Sequence, residues 1–420
     1  MILSKKKIYT LYFLLYLSLL LGFYFNEDTA GGQIQDYNTH INLVNIFINK
    51  GIINFLLDYS SRSVPHSPFY VLYILLLNKI FIYNEVARLI NLHIVLFLPI
   101  FFYKSLSLIY KTKKKDSISV IPILLFLSPY FRSGSIWIDD NILGLTFFTI
   151  SIYFFIKLRI NNYKDILLIF FHVFFLGLAS YFRPIYSIFG IYFFFQFIFN
   201  FKILKKFIFY IIINIFISFP AIYYVFILKE NFWITSHILQ YNIITSASLS
   251  MSVIFFYSIP YFLINYKITK NCIRLNYLNV LLTIIYALLL MNYFYYDLQY
   301  SGGVLYKISK IIFKNDYLFI GLSSIIFYIF ISIIKKYEYL NEFLIFFLII
   351  FFGVNGIIYH RYFDPLLYII FFSTFSCVFL ILVIFDSSIF SICFVCFSLL
   401  AVTFSNAAIN FSILLANFSD

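Results

Sequence analysis

The sequence predicts an all-α fold, a polytopic bundle of transmembrane helices with about 11–13 spans. Three observations predict it. Hydrophobic residues make up 63% of the chain and charged residues 11%, where a soluble domain is about half apolar and a quarter charged. The apolar residues come in runs long enough to cross a bilayer. The Lys and Arg residues lie in short clusters between those runs.

Lys5, Lys6 and Lys7 precede an apolar run from Ile8 to Phe25. The run is long for a signal peptide and no small-x-small cleavage site follows at once, so it reads as the first span. The lysines then hold the N-terminus in the cytoplasm, and the polar stretch 26–68 faces outward as the first outer loop. That loop holds Glu27, Asp28, Asp36 and Asp58, out of only 17 acidic residues in the chain. Within it Ile41, Val44, Phe47 and Ile48 recur at helical spacing, and Ile52, Phe55 and Leu56 continue the stripe. Asn42, Asn45, Asn49 and Lys50 interleave, which predicts an amphipathic helix on the membrane surface.

The run Phe69–Tyr83 is expected to lie in the outer interface or to dip in and return. A full crossing would put Lys111 and Lys113–Lys115 outside. With the interfacial reading those lysines lie inside, together with the clusters at Lys157/Arg159/Lys164, Lys202/Lys205/Lys206, Lys267/Lys270/Arg274 and Lys335/Lys336. The second span is then Leu89–Tyr103. The rest are expected near 118–131, 140–156, 166–181, 185–200, 207–228, 250–266, 275–294, 317–334, 342–358, 365–384 and 387–405. The longer outer loops are 229–249 and 295–316. The whole chain, 1–420, reads as one integral-membrane domain.

The formal charge is +13. In a soluble protein that balance raises nucleic acid as a partner, but the positive-inside rule explains the clusters without one. The four cysteines are Cys272, Cys377, Cys393 and Cys396. Cys393 and Cys396 have redox-motif spacing but sit in an apolar run with no His or acid near, so they read as small apolar fillers.

This topology gathers polar residues on the outer side. They are Asp28, Asp36, His66, Arg132, Asp139, Asp140, Arg183, His237, His360, Arg361 and Asp364. Such a set suits transfer of a sugar from a lipid phosphate. Arginine binds phosphate oxygens through a planar fork. A carboxylate can take the proton of an attacking hydroxyl.

Several motifs carry a resemblance. Asp36-Tyr37-Asn38-Thr39-His40 leads through the expected surface helix to Gly51. His66-Ser67-Pro68-Phe69-Tyr70 opens the next helix. Ser128-Pro129-Tyr130-Phe131-Arg132 is followed by Asp139-Asp140-Asn141. Late in the chain stands Tyr359-His360-Arg361-Tyr362-Phe363-Asp364-Pro365. In these the sequence resembles the GT-C superfamily of integral-membrane glycosyltransferases, which includes protein O-mannosyltransferases, the aminoarabinose transferase of lipid A and lipopolysaccharide-core sugar transferases. The resemblance covers the architecture of 1–230, a GT-C-like core, and the late motif; 231–420 would be variable C-terminal spans. It departs from the pattern at Ser67, where a second Pro is usual, and at Tyr37, where the family's Asp-Glu pair is absent.

The resemblance implies Asp36 or Asp28 as catalytic base, with Asp36 favoured by spacing. His66, Arg132, Asp139, Asp140, His360 and Arg361 fall in these motifs and are expected to bind substrate, with Arg361 the phosphate clamp; Arg183, outside them, joins as a further arginine at a span end suited to phosphate. The expected donor is a polyprenyl-phosphate sugar and the acceptor a glycan or lipid-linked glycan outside the cytoplasm. No metal ligand is assigned, and a divalent ion is the one cofactor left open.

Blander readings stand beside each of these. Asp36, Asp139 and Asp140 can cap helices. Arg361 can be a snorkelling anchor, and Trp233, His237 and Tyr241 read as interface residues. Rival functions are a lipid-linked polysaccharide polymerase, a transporter or flippase, and an inactive structural subunit. The transporter reading calls for polar groups within spans, of which His172 and Asn214 are the clearest.

Overall fold

The computed structural model describes residues 5–58, 67–81, 83–109, 118–119, 121–200, 204–224, 243–264, 276–296, 303–334 and 363–373. Among these residues the regular structure is all helical. Four helical stretches are long and apolar enough to cross a membrane: Lys6–Tyr24, Asn84–Ile109, Asp140–Ile160 and Leu204–Ile222. The contacts divide the chain into two compact units, one from Met1–Ser236 with Asp364–Ser373, the other from His237–Phe363 with Thr374–Asp420.

The first unit begins with α1, Lys5–Tyr24. The chain then turns through Gly31 and Gly32, both left-handed at φ 74° and 84°, a conformation open to glycine without steric cost. α2, Gln33–Lys50, starts at once. The sequence reading began this helix near Ile41, so Asp36 is not a loop residue but lies in the first turn. The buried face is also displaced. It runs through Gln33, Tyr37, His40, Leu43, Val44 and Phe47, while Ile48 is exposed. Two of the buried residues are polar, and this hides the face from a hydrophobicity pattern. Gly51 ends α2 at φ 75°, and α3, Ile52–Asp58, follows.

α4, Pro68–Ile80, opens with Ser67 as N-cap and Pro at the first position, both favoured there. α5, Asn84–Val95, and α6, Phe97–Ile109, form one apolar stretch. The expected span at 118–131 is not a continuous α-helix. Ile121–Leu127 is a 3₁₀ segment, and α7, Pro129–Ile136, starts afresh from the Ser128 cap. Pro129 has no N–H to donate, which suits a helix start and not a helix interior.

α8, Asp140–Ile160, and α9, Ile166–Phe182, pack along each other and are capped by Asp139 and Asp165. A short 3₁₀ turn, Pro184–Ser187, leads into α10, Ile188–Asn200. α11, Leu204–Ile222, packs on α9. Gly177 allows that approach, because a methyl group there would overlap Ile217.

The second unit holds α12, Ile243–Ile264, α13, Tyr277–Tyr293, α14, Gly303–Phe313, and α15, Tyr317–Ile334. α14 falls where the sequence predicted a loop. Tyr306 and Ser309 face its interior, and the Ser309 hydroxyl donates to Asn315 O and accepts from Phe319 N. Tyr286 stacks on Phe327 at 4.2 Å. Finally α16, Leu366–Ser373, belongs to the first unit, where Tyr368 packs on Phe102 and donates to Ile121 O at 2.7 Å. The spans expected at 342–358 and 387–405 lie outside the described residues.

Candidate functional site

The polar residues of the first unit assemble where the start of α2 meets the segment from Ser128 to Asp140. Glu27 is the first anchor. Arg132 grips its carboxylate with Nε at 2.7 Å and Nη2 at 2.5 Å. Nη1 and Nη2 of the same arginine also donate to Ser18 Oγ and Ser18 O. Burial alone raises the Glu27 carboxyl, but the hydrogen bonds and charge of Arg132 outweigh it and hold the group below the usual carboxylate range. All three guanidinium nitrogens of Arg132 are therefore engaged internally. Its geometry braces the loop.

The loop is stitched further. Trp137 donates its indole N–H to Glu27 O at 2.9 Å, Thr29 donates to Pro129 O at 3.1 Å, and Ala30 N donates to Ser133 Oγ at 3.4 Å. Asp28 accepts from Gln33 N at 3.3 Å and Ile34 N at 3.4 Å. Its two oxygens thus receive N–H groups that a helix start leaves without partners, and the negative charge suits that end of the helix dipole. Asp36 is half-buried on the edge of the face that carries Gln33, Tyr37 and His40.

A second cluster sits at the start of α8. Asp139 caps the helix through Ile142 N at 2.9 Å and accepts from Tyr130 Oη at 2.7 Å. Asp140 pairs with Arg183 at 3.0 Å. Gly144, one turn along, allows that pairing, since a methyl there would sit 3.3 Å from Arg183 Cβ and press on the Tyr186 ring. Between the two clusters Ile138 is left-handed at φ 53°, which for a β-branched residue costs about 1–3 kcal/mol. Tyr70 donates to Ile138 O and its ring meets His40 edge-on at 4.8 Å. A third group joins from the far end of the sequence: Asp364 accepts from Ser128 Oγ at 2.7 Å. Burial pushes the Asp364 carboxyl up to about 6, despite the Ser128 hydrogen bond.

Of the residues singled out in sequence, the structure thus brings Asp28, Asp36, Arg132, Asp139, Asp140 and Arg183 into one unit, with Asp364 added. His66, His360 and Arg361 lie outside the described residues. Among the described residues no group of three or more His, Cys, Asp or Glu could hold a metal ion. The donor set for a divalent ion does not assemble there.

Sequence reasoning missed Arg88. It is 6% exposed, and its guanidinium lies 3.6 Å from the centre of the Trp137 ring and 5.1 Å from that of Phe23. Nε donates to Ile136 O and Nη2 to Asn26 Oδ1, both at 3.1 Å. The available signal was an arginine at the head of an apolar run, which reads equally as a snorkelling anchor. His172 and Asn214, the two polar groups noted within expected spans, each bond locally, although His172 Nε2 makes no hydrogen bond among the described residues. His172 Nδ1 meets Ser151 Oγ at 2.9 Å, and Asn214 donates to Tyr210 O at 2.8 Å.

Two cavities of this unit are walled mostly by apolar side chains. One, about 530 Å³, lies between α1 and α6 around Tyr12 and Tyr103. The other, about 430 Å³, lies among α4, α9 and α11 and is bordered by Ser67, Phe69, Tyr181, Pro184 and Gly190. Pro184, which borders the second cavity, follows Arg183 in the chain, while Arg183 and Asp140 themselves are not among its lining residues. Comparison of the chain with protein-family models, curated proteins and solved structures gives no match.

Proposed function

We propose that this chain is a membrane glycosyltransferase that moves a sugar from a polyprenyl-phosphate donor to a glycan or lipid-linked acceptor outside the cytoplasm. The observation that carries this reading is the meeting of carboxylates and arginines from distant segments in a unit that also holds apolar cavities. A lipid phosphate needs both environments, cations for its headgroup and apolar walls for its chain.

In this reading the acceptor hydroxyl gives its proton to Asp36 as its oxygen attacks the anomeric carbon. The bond from that carbon to the phosphate oxygen breaks, and its electron pair leaves with the phosphate. Arginine stabilises the charge that develops there. Arg183 is one candidate, because it pairs with Asp140 through one nitrogen and a guanidinium has five N–H donors. Arg361 is the second candidate, from the late motif. Inversion at the sugar carbon follows from a single displacement.

The test is transfer by the purified protein from polyprenyl-phosphate hexose and pentose donors. Turnover by the wild type and its loss in Asp36→Asn are expected. Equal transfer by both proteins removes Asp36 from the mechanism. Orientation is tested separately in a cysteine-free background. Asn38, exposed on α2, is changed to Cys and labelled in intact cells with an impermeant maleimide. Labelling is expected, and labelling only after lysis would put this helix on the cytoplasmic side.

A further inference from the structure

Two buried donors at the start of α2, Gln33 Nε2 and Tyr37 Oη, make no hydrogen bond among the described residues, and Arg88 Nη1, near Tyr37, makes none there either. Gln33 is 1% exposed and its Nε2 makes no hydrogen bond. Tyr37 is 5% exposed and its Oη makes none. Arg88 donates through Nε and Nη2, while Nη1 has no acceptor among the described residues. Gln33 and Tyr37 stand one helical turn apart on the same buried face. Tyr37 lies 5.9 Å from the Arg88 guanidinium, ring centre to Cζ, and 5.8 Å from Trp137, ring to ring.

The charge is also uncompensated. Arg88 forms no ion pair among the described residues. Glu85, exposed one turn before it, acts on Tyr37 and Arg88 only at a distance. A buried cation without a counter-charge is costly, as is each unmet buried donor. The three groups share a need: Gln33 Nε2 and Arg88 Nη1 can only donate, and Tyr37 Oη has a proton to donate. Burial pushes the Tyr37 phenol up, against the pull of Arg88, so it remains a donor at neutral pH. The aromatic walls, Trp137 and Phe23, hold the guanidinium in place through its face. Asn26, which accepts from Nη2, is exposed, so the guanidinium reaches to within one residue of the surface.

The geometry points to an oxyanion pocket in which Gln33 Nε2, Tyr37 Oη and Arg88 Nη1 bind a phosphate group, either free or on a lipid. A tetrahedral oxyanion offers several acceptor oxygens to several donors at once, and arginine suits it. The pocket does not rest on the transferase reading. Its donors bind their anion whatever reaction follows.

Trp137 supplies the readout. The chain has two tryptophans, so a Trp233→Phe background leaves Trp137 alone against the guanidinium. The full-length protein in detergent is titrated at constant ionic strength with inorganic phosphate, with a short isoprenyl phosphate and with the matching alcohol. A saturable change in Trp137 emission is expected with a phosphate and not with the alcohol. A response to inorganic phosphate marks a pocket for the free anion. A response to the isoprenyl phosphate alone marks a headgroup site. Tyr37→Phe and Gln33→Met should each weaken binding about tenfold, the loss of one hydrogen bond to a charged group. Arg88→Gln should abolish it. No saturable response to either phosphate overturns the pocket. So does unchanged affinity in both Tyr37→Phe and Gln33→Met when their melting temperatures match the parent. A failed sugar-transfer assay leaves the pocket standing, and a failed phosphate titration leaves the role of Asp36 standing.

Discussion

Glu27 and Arg132 lie 105 positions apart in sequence and meet through two parallel hydrogen bonds of 2.7 and 2.5 Å. Each side chain keeps 16% of its exposure. Removing one partner of a fully buried pair costs about 3–5 kcal/mol, and partial exposure lowers this, so Glu27→Gln should cost about 2 kcal/mol. The sign of the pH effect follows from the depressed carboxyl. Its stabilisation is present above the usual carboxylate range and is lost as pH falls through the folded value. Thermal melting in detergent should show this acid loss in the wild type and not in Glu27→Gln. The double variant with Arg132→Gln should cost less than the sum of the singles.

Gly22 gives a second test of the same pair. A methyl group there would overlap Glu27 Oε2 and lie 3.2 Å from Arg132 Nη2. Gly22→Ala should therefore lower the melting temperature, although alanine is the better helix former by about 1 kcal/mol. Gly190→Ala is the control, because nothing lies within 4 Å of its added carbon. That variant should be neutral or slightly stabilised. Equal melting temperatures for the two variants would remove Gly22 from the account.

Asp28 and Asp36 separate by the kind of substitution each tolerates. Asp28 accepts backbone N–H groups, a role asparagine can share. Asp28→Asn should keep sugar transfer within a few-fold, while Asp28→Ala should cost about 1 kcal/mol of stability. Asp36→Asn should lower kcat by about 10²–10⁴, the usual contribution of a general base. A large kcat loss in Asp28→Asn with little in Asp36→Asn would reverse the assignment.

Asp364 predicts a pH effect of opposite sign to that of Glu27. Its carboxyl is raised from an ordinary 3.8 to about 6. Below the lower value the group is neutral folded and unfolded. Between the two the unfolded chain ionises first, so the folded state loses stability as pH rises. Asp364→Asn should match the wild type near pH 4 and melt higher at pH 7.5. Parallel melting profiles across that range would show that Asp364 does not titrate as described.

Much of the helical layout could be read from the chain because its signals are local. The apolar runs that form α8, α9 and α13 fall close to their expected ranges, and Asp139, Asp165 and Asn276 accept the N–H groups at their helix starts. What escaped the sequence has no local mark. The run 118–131 looked continuous in hydropathy, yet Pro122 and Pro129 divide it. α14 was hidden in a presumed loop because Tyr306 and Ser309, not large aliphatics, face inward. The site divides the same way. Acids and arginines near apolar boundaries could be named, but Glu27 with Arg132 and Ser128 with Asp364 are partners only in three dimensions. Arg88 was passed over because its neighbours are rings and not carboxylates.

The bonds from Glu27, Thr29 and Ala30 to the segment 129–137 have one more consequence. They fasten the turn before α2 to α7 at several separate points. The surface there is thus shaped before any contact, and a molecule that docks on it would fit a rigid mould with little rearrangement on arrival.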